Sequence, residues 1–316
     1  MNKEDKKNVY NAPVGAGGAF FAMIFCYLFV SLAGQEILKA CNAGEVVSYA
    51  IRSTFSIISM AVVQAFFVVK RKEKVFCVVK FKKFNPVYIV CAVLVGTGMM
   101  AGLGFVNEGV ASILKKAGLN AAGINLPVDS PFRFALFSVL VAVLPAVIEE
   151  AFFRGLLLGS LADESEKAFS KRNVCAALCS AACFALYHCS LTQLVYQFIY
   201  GLFLAFLTIE ARSAIPAALA HFINNFAVLA FSFADVKINL FNPVVIVSGI
   251  AGLAAFCGLT AFIGKKAEKS AEFRTDSVKV RGEKDAEFSF MKFWFPFGLA
   301  GAAVCAVLAI GSAVAV

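Results

Sequence analysis

The sequence predicts an all-α membrane protein, a polytopic transmembrane helical bundle. Of its 316 residues, 60% are hydrophobic and only 16% are charged, proportions that exclude an ordinary cytosolic enzyme. Apolar runs of about 20 residues recur along the chain, and a helix of that length crosses the hydrocarbon core of a bilayer. The chain is therefore expected to be an integral, multi-pass membrane protein with the lipid bilayer as one partner.

Nine apolar windows are long enough to be spans, and the fifth is expected to be short because polar residues follow it closely. The basic connection after the second window contains an apolar insert, Val75–Val79, that we expect on the membrane surface. Residues 108–130 are expected to form the longest loop of the first half, with one or two amphipathic turns at Val110–Leu114. The nine predicted spans are 16–38, 46–69, 86–107, 131–160, 174–190, 192–210, 214–234, 240–264 and 294–316.

The distribution of basic residues predicts the orientation. If the N-terminus is cytoplasmic, most of the 29 Lys and Arg residues fall in the inner segments, as the positive-inside rule requires. Nine spans then leave the C-terminus outside. The net charge of +9 is explained by these loops, so no nucleic-acid partner is predicted. The ten Cys show no CxxC pair, which favours small buried side chains over a disulfide or zinc framework.

The chain is expected to divide into three parts. Residues 1–130 are N-terminal transmembrane helices and loops. Residues 131–234 form the core of the chain. Residues 235–316 are C-terminal helices, with a charged cytoplasmic linker at 265–293.

Three ionisable residues lie within six positions deep inside the fourth span: Glu149, Glu150 and Arg154. Each charge costs about 2.5 to 3.5 kcal/mol at the centre of a membrane helix, so such groups indicate a functional site by default. Glu150 and Arg154 are four residues apart with the acid first, the favoured order for an ion pair. Glu149 points about 100° away on the helix, which leaves its carboxylate free for another role.

The only two histidines, His188 and His221, lie in later apolar spans. His221 and Asn225 are four residues apart and share a helix face. A carboxylate and a histidine that converge on water form a general base, and His and Asn side chains can stabilise an oxyanion. The same groups, Glu149, His188 and His221, are also the alternative ligands for a catalytic zinc. We rank zinc second, because the helical HExxH spacing is absent.

Three motifs carry a family resemblance: Glu149-Glu150-x-x-x-Arg154, Phe184-x-x-x-His188 and His221-x-x-x-Asn225. In this order, within successive apolar spans, they resemble the signature of the CPBP family. That family contains intramembrane CAAX-type prenyl proteases and related bacteriocin-processing and immunity proteins, also called Abi proteins.

The resemblance covers about residues 131–234, spans four to seven, and implies that they are the catalytic core of an intramembrane glutamic endopeptidase. Glu149 would activate water, His188 would help to hold it, and His221 with Asn225 would form the oxyanion hole. Glu150 and Arg154 would support them. No cofactor is expected, and the substrate would be a membrane-associated peptide or a lipidated, CAAX-type protein. The site is expected partway into the bilayer, in a water-accessible cavity open to the cytoplasmic side.

Two other classes remain open from the residues. Buried Glu, Arg, His and Asn side chains also suit a proton-coupled transporter, although the two halves show no inverted repeat. A non-catalytic immunity or scaffold protein could keep the same fold without turnover.

Overall fold

The protein is a bundle of helices in a computed structural model that describes residues 3–71, 75–121, 126–272 and 293–314. No strand occurs within these ranges, so the predicted all-α class is confirmed. We number the helices α1 (Lys3–Ala40), α2 (Glu45–Arg71), α3 (Val75–Val78), α4 (Val87–Lys116), α5 (Pro131–Leu161), α6 (Lys171–Tyr187), α7 (Leu194–Ala211), α8 (Ile215–Phe233), α9 (Pro243–Glu272) and α10 (Leu299–Val314).

Seven of the helices are long and apolar enough to cross a membrane, namely α1, α2, α4, α5, α7, α8 and α9. The predicted spans 174–190 and 294–316 correspond to the shorter α6, of 17 residues, and α10, of 16 residues. Helix α6 rises about 26 Å, slightly less than the hydrocarbon thickness, as expected for the fifth span. These helices support an integral membrane protein, and the orientation of the termini stays a prediction.

Two helices extend further than the hydropathy windows. Helix α4 continues to Lys116, so the first part of the predicted loop 108–130 is helical. Helix α9 continues to Glu272, into the predicted linker 265–293, of which residues 273–292 lie outside the described part of the chain. Hydropathy marks where the apolar residues stop, whereas a helix stops where its backbone hydrogen bonds stop.

The apolar insert Val75–Val79 is exposed at its start and buried at its end, so the expectation that it lies on the membrane surface is wrong for Val78 and Val79. Val75 is 54% exposed. Val78 and Val79 are only 2% and 7% exposed. The backbone after them is anchored to the turn between α7 and α8, where the Ala214 N–H donates to the Lys80 carbonyl. The Ser213 hydroxyl donates to the Lys82 carbonyl at 2.8 Å. We call residues 78–82 the strap, because they cross α5 and hold it against this turn.

Helix α5 lies at the centre of the bundle, with α2, α6, α7 and α8 packed around it. It contains two π-helical stretches, Ser138–Val143 and Ala151–Leu158, on either side of the α-helical Leu144–Glu150. Every residue of the second stretch is buried. π-Helical turns shift the register of the side chains and recur at functional sites. The two adjacent glutamates sit at the boundary of such a turn.

Gly155 allows the strap to touch α5. A Cβ atom at this position would lie 2.5 Å from the Val79 carbonyl oxygen, and that backbone cannot rotate away as a side chain could. We predict that Gly155→Ala destabilises the fold by about 1 to 3 kcal/mol, as overpacking does in well-packed interiors. The measurement is thermal unfolding in detergent.

Gly109→Ala is the matched control, because no atom lies within 4 Å of a Cβ built there and the residue is also helical. Equal unfolding temperatures for the two variants would contradict the contact between the strap and α5.

Candidate active site

Glu150 lies at the centre of a buried charge cluster and is itself fully buried. Arg154 donates from Nη1 to Glu150 Oε1 at 3.1 Å. The second pair, Arg154 Nε and Glu150 Oε2, is also 3.1 Å apart but is not aligned as a hydrogen bond. His221 Nδ1 lies 2.9 Å from Glu150 Oε1. The spacing predicted the ion pair with Arg154, and the structure adds His221 of α8 as a second partner.

Arg154 contacts helices α6 and α7 in addition to its ion pair with Glu150. Its Nη2 donates to the Gly201 carbonyl of α7 at 3.3 Å. Its guanidinium carbon lies 4.3 Å from the centre of the Phe184 ring of α6. A guanidinium over an aromatic face is stabilised by the ring quadrupole, and more so when both are desolvated.

Glu149 has a different environment from Glu150. Its side chain is 5% exposed, and the Tyr187 hydroxyl donates to its Oε1 at 3.0 Å. No described residue makes a hydrogen bond to the other oxygen, Oε2. A buried carboxylate oxygen without a partner is costly in a folded protein and is expected only where it serves a purpose.

His188 follows α6 directly and is half-buried. Its Nδ1 lies 2.7 Å from the Phe184 carbonyl oxygen. Because a carbonyl only accepts, Nδ1 must carry the proton, and Nε2 of the neutral ring keeps its lone pair. The Phe184 ring lies between the two imidazoles, 4.9 Å from the centre of His188 and 5.7 Å from that of His221.

Asn225 lies one turn after His221 on α8 and is half-buried. Its Nδ2 donates to the Val141 carbonyl at 3.1 Å. Its Oδ1 accepts from Asn224 at 3.4 Å, and Asn224 in turn accepts from the Tyr196 hydroxyl. The carboxamide is therefore oriented by α5 and α7, and one of its two N–H groups is not used by these contacts.

The structure brings the predicted residues together from three places: α5, the end of α6, and α8. Sequence reasoning missed the partners that hold them. Tyr187 was noted only as a neighbour of His188, and Gln64, which donates to the Ile148 carbonyl at 2.9 Å, was not noted at all. A polar Gln within the apolar α2 was the available signal for the second.

A cavity of about 730 Å³ lies where the C-terminal ends of α5 and α7 meet α9, at the predicted cytoplasmic side. It reaches Arg154, whereas Glu149 and the two histidines are not part of its wall. Its charged lining consists of Lys80, Arg154, Asp163, Glu164, Glu166, Lys167, Glu210 and Arg212.

Glu164, in the loop after α5, fastens the strap beside this cavity. It forms ion pairs with Lys80 and Lys82. Partial burial raises the pKa of its carboxyl, but hydrogen bonds and charge from the two lysines outweigh this and hold the pKa below its usual value. The carboxylate therefore stays ionised at neutral pH.

The alternative zinc site stays untested. Within the described ranges, no three His, Cys, Asp or Glu side chains are grouped closely enough to hold a metal ion. The proposed set of Glu149, His188 and His221 is not such a group, because His221 faces Glu150.

The buried ion pair generates a stability prediction. Arg154→Met should destabilise the protein by about 3 to 5 kcal/mol, because Glu150 would keep a buried charge with only His221 beside it. Lys39→Met is the matched control, since the Lys39–Glu36 pair is 70% and 73% exposed. Such surface pairs contribute about 0.2 to 1 kcal/mol. Thermal unfolding of both variants measures the difference, and similar losses would contradict the role of burial.

The comparisons with known proteins point to one family. Residues 131–227 match the model of the type II CAAX prenyl endopeptidase Rce1-like family. No curated protein and no solved structure gives a significant match to the chain. The matched range contains all three motifs, from Glu149 to Asn225, and the charge cluster built from them. Residues 131–227 are therefore similar to this family, in agreement with the CPBP resemblance of the three motifs, and we call them the Rce1-like segment.

Proposed function

We propose that the protein is an intramembrane endopeptidase that hydrolyses a peptide bond of a membrane-associated substrate, with water activated by Glu149. The observation that carries the proposal is the environment of Glu149. One carboxylate oxygen is held by Tyr187, and the other is buried without a hydrogen-bond partner among the described residues. Glu150, the adjacent carboxylate, has both its oxygens facing Arg154 or His221. Oε2 of Glu150 also makes no hydrogen bond, but it lies 3.1 Å from the charged Arg154 Nε, whereas Oε2 of Glu149 has no such neighbour among the contacts of the described residues. Glu149 is therefore the carboxylate that we assign to a water molecule.

His188 supplies the second contact for that water. The bond from its Nδ1 to the Phe184 carbonyl leaves Nε2 as an acceptor. Tyr187 and His188 are adjacent, with ring centres 5.0 Å apart, so the two groups that accompany Glu149 share the end of α6. A carboxylate and an imidazole acceptor then hold the two protons of one water and orient its oxygen towards the substrate.

The proposed reaction balances protons within the site. Glu149 takes one proton from water as the water oxygen attacks the carbonyl carbon of the scissile bond. The carbonyl oxygen becomes an oxyanion. Glu149 then gives the proton to the leaving nitrogen as the C–N bond breaks, and the products are a carboxyl group and an amine. The glutamate returns to its starting state.

His221 and Asn225 are the proposed oxyanion donors. With Nδ1–H directed at Glu150, His221 donates from Nε2 only when the ring carries both protons. The Glu150 carboxylate, which also pairs with Arg154, supplies negative charge beside that doubly protonated ring. Asn225 uses one N–H for the Val141 carbonyl and has the second for the substrate oxygen.

The substrate class follows from the position of the site and from the family. The site lies within spanning helices, so the scissile bond must reach membrane depth, which favours a peptide attached to the membrane. The Rce1-like match favours a prenylated CAAX-type peptide as the first probe. We propose no resident cofactor, and the zinc alternative is decided by the effect of a chelator.

The test is cleavage by purified protein in nanodiscs, with a prenylated CAAX peptide and its unprenylated twin, each with and without a chelator. Glu149→Gln should lower kcat by at least about 100-fold, because general-base catalysis contributes on the order of 10² to 10⁴. Glu166→Gln, in the loop after α5, is the matched control and should cleave normally. Full activity of Glu149→Gln would overturn the assignment. Loss of activity with the chelator would replace it with a metal mechanism.

The oxyanion hole gives a separate prediction. Asn225→Ala should lower kcat by about 10²- to 10³-fold with little change in KM, because the donor acts on charge that develops in the transition state. Asn239→Ala, at an exposed turn between α8 and α9, is the matched control. Steady-state kinetics of the two variants provide the measurement. A rise in KM without a fall in kcat would show that Asn225 binds the substrate instead.

A further inference from the structure

We propose that Tyr187 is a positioning residue that fixes the carboxylate of Glu149. The inference rests on the proposed function, because it assigns Tyr187 to the site that would activate water. Tyr187 is not one of the fixed residues of the three motifs.

The geometry at Tyr187 leaves its hydroxyl little freedom. The side chain is 8% exposed. Its ring packs against Phe153 at 5.5 Å and against His188 at 5.0 Å between ring centres. The hydroxyl donates to Glu149 Oε1 at 3.0 Å. A phenol has a single hydrogen, so this bond commits the only donor that Tyr187 has.

Helix α2 holds the backbone beside Glu149. Gln64 of this helix donates from Nε2 to the Ile148 carbonyl at 2.9 Å. Ile148 immediately precedes Glu149. Gln64 therefore fixes the backbone next to Glu149, and Tyr187 fixes its carboxylate.

This arrangement decides which oxygen of Glu149 acts as the base. The terminal torsion of a glutamate is broad, so a carboxylate without a partner rotates freely. The bond at Oε1 stops that rotation and leaves Oε2 as the oxygen for water. A loss of this alignment lowers the rate of the chemical step more than it lowers substrate binding.

The kinetic test compares Tyr187→Phe with Tyr49→Phe, a matched change on α2, in nanodiscs. Tyr187→Phe keeps the ring packing and should lower kcat by about 10- to 100-fold, as expected for a lost hydrogen bond to a charged group, with KM nearly unchanged. Tyr49→Phe should leave kcat unchanged. An unchanged kcat for Tyr187→Phe would overturn the inference.

A second measurement does not need turnover. The infrared difference spectrum between wild type and Glu149→Gln isolates the carboxyl bands of Glu149. Tyr187→Phe should shift these bands, whereas Tyr49→Phe, a matched change on α2, should leave them in place. Unshifted bands in Tyr187→Phe would refute the contact. Shifted bands in a protein that cleaves neither peptide would refute the proposed function and keep the contact.

Discussion

The buried contact between Glu150 and Arg154 is the constraint on which the centre of the bundle depends. Two opposite charges without water are tolerated only when the remaining hydrogen-bonding atoms find partners. Arg154 of α5 finds them in the Gly201 carbonyl of α7 and the ring of Phe184 of α6, while Glu150 adds His221 of α8. One ion pair therefore sets the mutual positions of four helices, and the residues proposed for catalysis are carried by three of them.

Two adjacent glutamates acquire different environments from this constraint. Successive residues of a helix point about 100° apart, so a helix that turns Glu150 towards Arg154 must turn Glu149 towards another neighbour. That neighbour is Tyr187 at the end of α6. The Glu150 oxygens lie against Arg154 and His221, whereas Oε2 of Glu149 has no hydrogen-bond partner among the described residues. The two glutamates differ because α5, by directing Glu150 to Arg154, also directs Glu149 to Tyr187.

Two elements outside the Rce1-like segment, the strap and α2, contact its central helix, α5. The strap crosses α5 at Gly155, where only a hydrogen fits beside the Val79 backbone. Glu164 fastens the strap through Lys80 and Lys82 at the cavity. On another face, α2 contacts the backbone next to Glu149 through Gln64. The matched segment of residues 131–227 is thus embedded in helices that determine how rigidly its charged residues are held.

The sequence by itself determined the membrane class, the helical bundle, the spans of the core and the Glu150–Arg154 pair. These follow from composition and from spacing along one helix, which are local properties. Only the tertiary structure decided that His221 faces Glu150, that Tyr187 occupies one oxygen of Glu149, and that Val78 and Val79 are buried in the strap. Each of these depends on a contact between residues tens of positions apart, and no periodicity within a single span specifies which faces of two helices meet. Hydropathy likewise did not reveal the extension of α4 to Lys116, because backbone hydrogen bonds continue where the apolar residues end.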